Sequence, residues 1–250
     1  NAAVLSRFQV LFVSNGREKA AIRRRNEERV GVEMRPLRDT DPTRLHLVSI
    51  RTDNQVLRMT PSGGINELIG GIFAKYQEEY GVDIYALNVL SNHYHCLAYA
   101  PRSNLWEFAQ NVNREIATRV NRYRKREGHF WGRRYDDILV LEEVDALEGY
   151  LYVLTNPVHH GLVSEQKNWP GLSSYWQALG EKDRRYKFTH WTEYKRAKRL
   201  ARGSGRGVRL EDYQTEHTLR ISVLPKFAKL PAKRRKEAVA EAIEQKTKEI

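Results

Sequence analysis

The sequence contains one cysteine, Cys96, in 250 residues. A single thiol excludes an intrachain disulfide framework and any structural zinc site built on several cysteines. No apolar run approaches the roughly 18 residues that a membrane-spanning helix needs. No basic n-region leading into an apolar h-region marks a secretory signal. These absences predict a cytoplasmic protein. Negative charge is also short: 31 Asp and Glu face 43 Lys and Arg, leaving a net +12. Such a balance suits polyanions, nucleic acid first and acidic membrane surfaces second; the alternative is a basic protein whose charges only solvate it.

What is present is enough for a core. Apolar residues make up 40% and aromatics 10%, too many for a disordered chain. The length suits one sizeable domain with appendages, or two small ones. The basic excess is concentrated in residues 17–29 (REKAAIRRRNEER) and 182–209. The second cluster interleaves Tyr186, Phe188, Trp191 and Tyr194 with cations that include Arg184, Arg185, Lys195 and Arg196. That mixture can contact phosphates and stack on bases. Both clusters read as appendages to a patterned middle, with Arg202–Gly207 the most flexible part.

In the middle, Leu45–Ile50 reads as a strand, and Val56–Met59 is expected to pair back on it after a polar turn. Residues 65–80 have helical spacing and Gly81 is placed to end the helix. Val82–Leu90 and Tyr94–Ala100 read as adjacent strands. A helix is expected from Asn104 to about Arg126, with Asn104 and Glu107 as a capping box. Asp136–Leu141 reads as a strand, followed by a helix from about Glu143 to Thr155 that Pro157 limits. Thr218–Leu224 is a further candidate strand, with a helix after Pro231. The mixture predicts an α+β sandwich, with helices on one face of a largely antiparallel sheet.

Two features carry chemistry. In NHYHCLAYA, His93 and His95 stand two apart at a strand start, so both imidazoles share one side while Tyr94 and Cys96 point to the other. Neutral imidazoles one pleat apart can hold a divalent ion, although two surface or core histidines would give the same pattern. On the helix at 143–155, ~100° per residue puts Leu147, Leu151 and Leu154 on one face with Tyr150 at its margin. Asp145, Glu148, Gly149, Tyr152 and Asn156 fall opposite, which makes Tyr150 a core aromatic. Tyr152 stands one turn before Asn156. A phenol with a pKa near 10 is a poor nucleophile at neutral pH. A metal that polarises the attacked phosphate makes its attack practicable.

Four ordered motifs extend these features: NHYHCL at 92–97, GHFWGRRYDDILV at 128–140, YLYVLTNPVHHGLV at 150–163 and NWPGLSSYWQALG at 168–180. In this series the sequence resembles the single-tyrosine HUH transposases, most closely the REP-associated tyrosine transposases of bacteria. The resemblance covers roughly residues 44–180. It implies an N-terminal extension at 1–43, an HUH single-tyrosine transposase domain at 44–180 and a basic C-terminal extension at 181–250. It implies a ferredoxin-like core, with Tyr152 as the nucleophile four positions before Asn156-Pro157. It further implies Mg²⁺ or Mn²⁺ held by His93, His95 and Asn156. The implied partner is single-stranded DNA with a hairpin, cleaved beside it through a 5′-phosphotyrosine, by a monomer or a homodimer in the bacterial cytoplasm at the nucleoid. Arg133, Arg134 and the 182–209 cluster would hold the backbone, and Trp131 or Trp191 would stack on an unpaired base, Trp131 being as readily a core aromatic. Gly132-Arg133 replaces a more usual Gln-Gly-type pair. His129, His159 and His160 receive no role. Two other readings remain open at this level: a module that binds a DNA or RNA hairpin without cutting, and a metal-dependent hydrolase using the His-x-His pair.

Overall fold

The computed structural model describes residues 41–140, 142–202 and 207–250. The extension before residue 41, with its 17–29 cluster, lies outside the described residues, as do residues 203–206 of the Arg202–Gly207 stretch. No described helix is long and apolar enough to cross a membrane.

Six elements in sequence build the centre: β1 (Leu45–Arg51), α1 (Gly63–Tyr80), β2 (Asp83–Val89), β3 (His93–Tyr99), α2 (Leu105–Tyr123) and β4 (Asp136–Val140). The strands lie in the order β2-β3-β1-β4, every neighbouring pair antiparallel. This is the split β-α-β-β-α-β arrangement of ferredoxin-like folds. β1 is central and buried over five consecutive residues, as a strand covered on both faces must be.

The helix placement is richer than the sequence suggested. α1 and α2 cover one face, where Ile69, Ile72 and Phe73 meet Phe108, Val112 and Ile116 above Val48, Tyr94 and Cys96. A third helix, α3 (Glu143–His159), covers the other face, against β2, β3 and β4. It therefore buries the side that carries Gly149 and Asn156, which its sequence marked as polar. α3 also runs through Pro157 instead of stopping before it. A proline in a helix interior removes one bond, to the carbonyl four residues back. Here that carbonyl belongs to Val153, and Asn88 Nδ2 of β2 donates to it at 3.1 Å.

Two local expectations are corrected. Val56–Met59 forms no strand, because β3 and β4 already occupy both edges of β1; Asp53–Gln55 instead make a 3₁₀ turn. Asn104 does not act as a side-chain cap. Its Nδ2 donates to Tyr80 O at 2.9 Å and ties the end of α1 to the start of α2. α1 itself is capped by Ser62, whose hydroxyl accepts from Ile65 N, and ends at Gly81 in the left-handed region.

Beyond α3 follow α4 (Tyr175–Ala178), β5 (Arg184–Thr189), α5 (Trp191–Leu200), β6 (Gln214–Leu219), α6 (Pro225–Ala228) and α7 (Ala232–Lys248). The strand expected at Thr218–Leu224 lies earlier. β6 pairs with β5 through Leu219, and the chain then crosses to the β2 edge, where Ser222 N donates to Ile84 O. The β5–β6 hairpin packs on α1. A Cβ at Gly70 would fall on the Tyr186 ring, and one at Gly71 would lie 2.5 Å from Lys187 O, so only glycine admits this approach. Gln77 closes the contact with reciprocal bonds to Arg220 O and N at 2.7 and 2.9 Å. α7 packs on α3, where Lys246 Nζ meets Glu148 at 2.7 Å.

Candidate active site

Strand alternation gives the site its floor. Tyr94 points to the α2 side, its hydroxyl donating to Asn113 Oδ1 at 2.8 Å, and Cys96 is buried in the same core. His93 and His95 therefore rise from the opposite face, the one beneath α3. Their ring centroids are 5.0 Å apart. In the antiparallel register Arg51 of β1 lies opposite His93, while Ser49 of β1 and Asn88 of β2 lie opposite His95. All five share one face.

α3 supplies the roof. The Tyr152 ring is 5.1 Å from the His95 ring, and Tyr150 packs instead against Phe227. One turn after Tyr152 stands the fully buried Asn156, whose carboxamide raises the pKa of His93 and lowers that of Tyr152. Continuation through Pro157 then carries His159 to 6.1 Å from the Tyr152 ring and His160 to 5.2 Å from the His93 ring. The structure thus brings His93, His95, Tyr152 and Asn156 together.

Burial dominates the electrostatics. It pushes His93 down to about 3, with further lowering from Arg51 and His160 that Asn156 partly opposes. His95 is held well below the usual imidazole value by burial first and then by His93, His160 and Arg51. Burial raises the Tyr152 phenol, and Asn156 and Arg51 act in the other direction. His160 is lowered by burial, His159 and Arg51. Among the described residues no carboxylate contributes to the shifts of these four groups.

The donor set fits a divalent ion. Asn92 Oδ1 can only accept, so His93 Nδ1–H donates to it, at 2.6 Å, and the neutral ring keeps a lone pair on Nε2. That Nε2 is buried without a hydrogen-bond partner, as is Asn156 Oδ1. Two imidazole nitrogens and a carboxamide oxygen are neutral ligands of the kind borderline divalent ions accept. Among the described residues no group of three or more His, Cys, Asp or Glu could hold a metal ion.

The sequence-derived DNA contacts are distributed over several surfaces. Gly132 N donates to Arg51 O at 3.0 Å, which sets the Arg133–Arg134 pair at the histidine end of β1. Arg134 is exposed, and Arg133 pairs with Asp136. Trp131 is half-buried, its Nε1 donating to Asn113 O and its ring against Tyr94 and Phe130. Arg184 and Arg185 line a cavity of about 460 Å³ with Trp169, Tyr175 and Trp176 of the fourth motif. On α5, Lys195 and Arg196 are exposed, and the Trp191 ring lies under Arg122 and beside Tyr194.

Three neighbours of the site carry no signal in the sequence alone. Arg51 becomes visible only through strand register. His160 follows from Asn156 at helical spacing once α3 is carried past Pro157. Asn88 is signalled only by the carbonyl that Pro157 releases.

Fold and site together define a ferredoxin-like α+β core in which an imidazole pair on the central sheet is faced by a tyrosine on a covering helix. Residues 43–151 match the family model described as "Transposase IS200 like". The match ends one residue before Tyr152. A Haemophilus influenzae protein named as a REP-associated tyrosine transposase is 28% identical over 104 residues, which is 37% of this chain and 59% of that protein. The alignment thus spans less than two thirds of the relative's length. A solved REP-associated tyrosine transposase bound to a REP hairpin superposes with a TM-score of 0.52 at 16% identity, covering 59% of this chain and 86% of the other. That likeness establishes a shared fold.

Proposed function

We propose that this protein is a metal-dependent single-stranded DNA nicking and joining enzyme that recognises a DNA hairpin and cleaves beside it. The observation that carries this reading is the convergence of Tyr152, His93, His95 and Asn156 between β3 and α3. Similarity to the named Haemophilus influenzae protein and the net charge of +12 support a nucleic-acid substrate.

His93 Nε2, His95 and Asn156 Oδ1 would hold Mg²⁺ or Mn²⁺. When bound, such an ion supplies Lewis-acid polarisation of a phosphoryl oxygen and a template for in-line geometry. Tyr152 then attacks phosphorus. A phenolic O–P bond forms as the P–O3′ bond breaks, the phenol gives up its proton to solvent, and the departing 3′-oxygen takes one. One phosphate ester replaces another, so a second 3′-OH can reverse the step and join strands without a nucleotide energy source. Asn156 orients the phenol, and the sheet excludes water from beneath it.

The test is to incubate the protein and Mn²⁺ with labelled single strands from the DNA flanking its own gene, then denature. Label migrating with the denatured protein is the expected result. Free cleaved product would instead indicate a hydrolase, and intact DNA retained only under native conditions a binding module.

A further inference from the structure

We propose that Arg51 is a catalytic residue whose guanidinium grips a non-bridging oxygen of the scissile phosphate. The assignment rests on the nicking-and-joining reading and adds a contact to it. Arg51 is the last residue of β1 and lies directly opposite His93 in the antiparallel register, so its side chain leaves the sheet on the histidine face. Its positive charge lowers the pKa of His93, His95, Tyr152 and His160, in each case as a smaller effect than burial.

The carboxylate nearest in register, that of Asp136 opposite Ser49, is already paired with Arg133. Among the described residues Arg51 joins no ion pair, whereas Arg58 nearby has Asp53 at 3.9 Å and Arg133 has Asp136. A half-buried cation over a floor of neutral imidazoles is unfavourable in itself, and a divalent ion held by His93, His95 and Asn156 would add like charge. An anion between them reconciles both. A phosphodiester has the right form: a single negative charge on two non-bridging oxygens, one for the ion's side and one for Arg51. The planar guanidinium offers parallel N–H donors to that oxygen, a geometry a lysine ammonium does not reproduce. The same arrangement explains why the site tolerates a fully neutral protein ligand set: part of the balancing charge comes with the substrate.

The experiment compares wild-type protein, Arg51→Ala and Arg51→Lys in single-turnover formation of the covalent adduct with Mn²⁺ and a cleavable hairpin oligonucleotide. Removing one preorganised donor to a reacting oxygen typically lowers rate by about 10²–10³-fold, and that loss is expected for Arg51→Ala. Arg51→Lys should recover part of it, and millimolar guanidinium chloride should accelerate Arg51→Ala while leaving wild type unchanged. Mn²⁺ affinity without DNA, read by electron paramagnetic resonance, should be equal or tighter in Arg51→Ala because a like charge has gone. Adduct formation by Arg51→Ala within threefold of wild type would overturn the assignment. So would a loss that neither lysine nor guanidinium restores, or one that tracks weakened Mn²⁺ binding, since both indicate a structural role. Wild-type protein that forms no adduct would overturn the proposed function, an outcome separate from failure of the Arg51 assignment.

Discussion

Asn88 Nδ2 on β2 donates to Val153 O on α3 at 3.1 Å, and this is the carbonyl left without a helical donor by Pro157. The helix interruption thus becomes a tether between helix and sheet. It lies one residue from Tyr152, and Asn88 stands opposite His95 in the strand register. The Asn-Pro pair that follows the tyrosine has two tasks here: Asn156 enters the site and Pro157 anchors the helix that carries it.

Asn88→Ala should break that tether and leave a buried carbonyl unsatisfied, a cost of about 1–3 kcal/mol. Urea unfolding measures the loss. The bond lies one residue from Tyr152, so adduct formation should fall further than stability alone accounts for at temperatures where the variant is folded.

Tyr152→Phe should abolish the covalent adduct and leave hairpin binding nearly intact, since only the hydroxyl is removed. Tyr150→Phe should be mild, because that ring packs on Phe227 away from the histidines. Gel analysis of denatured reactions separates the two; an inactive Tyr150 variant beside an active Tyr152 variant would refute the assignment of the nucleophile.

His93→Ala, His95→Ala and Asn156→Ala should each lower divalent-ion affinity together with cleavage, as each deletes one neutral ligand. Calorimetric titration with Mn²⁺ provides the affinity. Undiminished cleavage in EDTA would remove the metal from the reaction.

Stability should decline as pH falls below about 6.5. Burial lowers the folded-state pKa of His93 to about 3 and that of His95 well below its ordinary value, so the unfolded chain binds more protons in this window. The imidazole contribution is complete above the unfolded value and lost as pH falls toward the folded one. Each such histidine can cost up to about 1.4 kcal/mol per pH unit. Melting temperatures measured in EDTA from pH 7 to pH 4 should drop, and His93→Asn should flatten the slope.

Arg184→Ala and Arg185→Ala should weaken oligonucleotide binding and reduce the slope of log K against log salt by about 0.7–0.9 for each phosphate that is no longer neutralised. Trp176→Ala, on the same cavity, should cost roughly 1–3 kcal/mol with little change in slope if a base stacks there. Fluorescence anisotropy over a salt series distinguishes the two contributions.

The elements and the placement of the candidate site residues were legible where they depend on local periodicity. Alternation in β3 put His93 and His95 on one side and Tyr94 and Cys96 on the other. Helical phase separated Tyr152 from Tyr150. What sequence did not show is that this polar face is itself covered: Asn156 is fully buried because α3 lies between the sheet and α7. Arg51 was illegible, since the register that sets it opposite His93 joins residues far apart in the chain. Pro157 misled because its usual helix-limiting effect is compensated by a side chain from another element. The capping role expected of Asn104 was likewise displaced by a tertiary bond to Tyr80.

The seat that Gly70 and Gly71 provide for the β5–β6 hairpin also orders the assembly of the chain. Glu67 accepts from Lys187 N across a separation of 120 residues, whereas β1 through α3 closes from one continuous stretch. Distant contacts carry the greater loop-closure entropy, and they are met only after the nearer surface exists. The groove on α1 therefore belongs to a segment that precedes the hairpin in the chain. During synthesis the histidine face and the tyrosine helix emerge first, and the segment that fills the groove follows them.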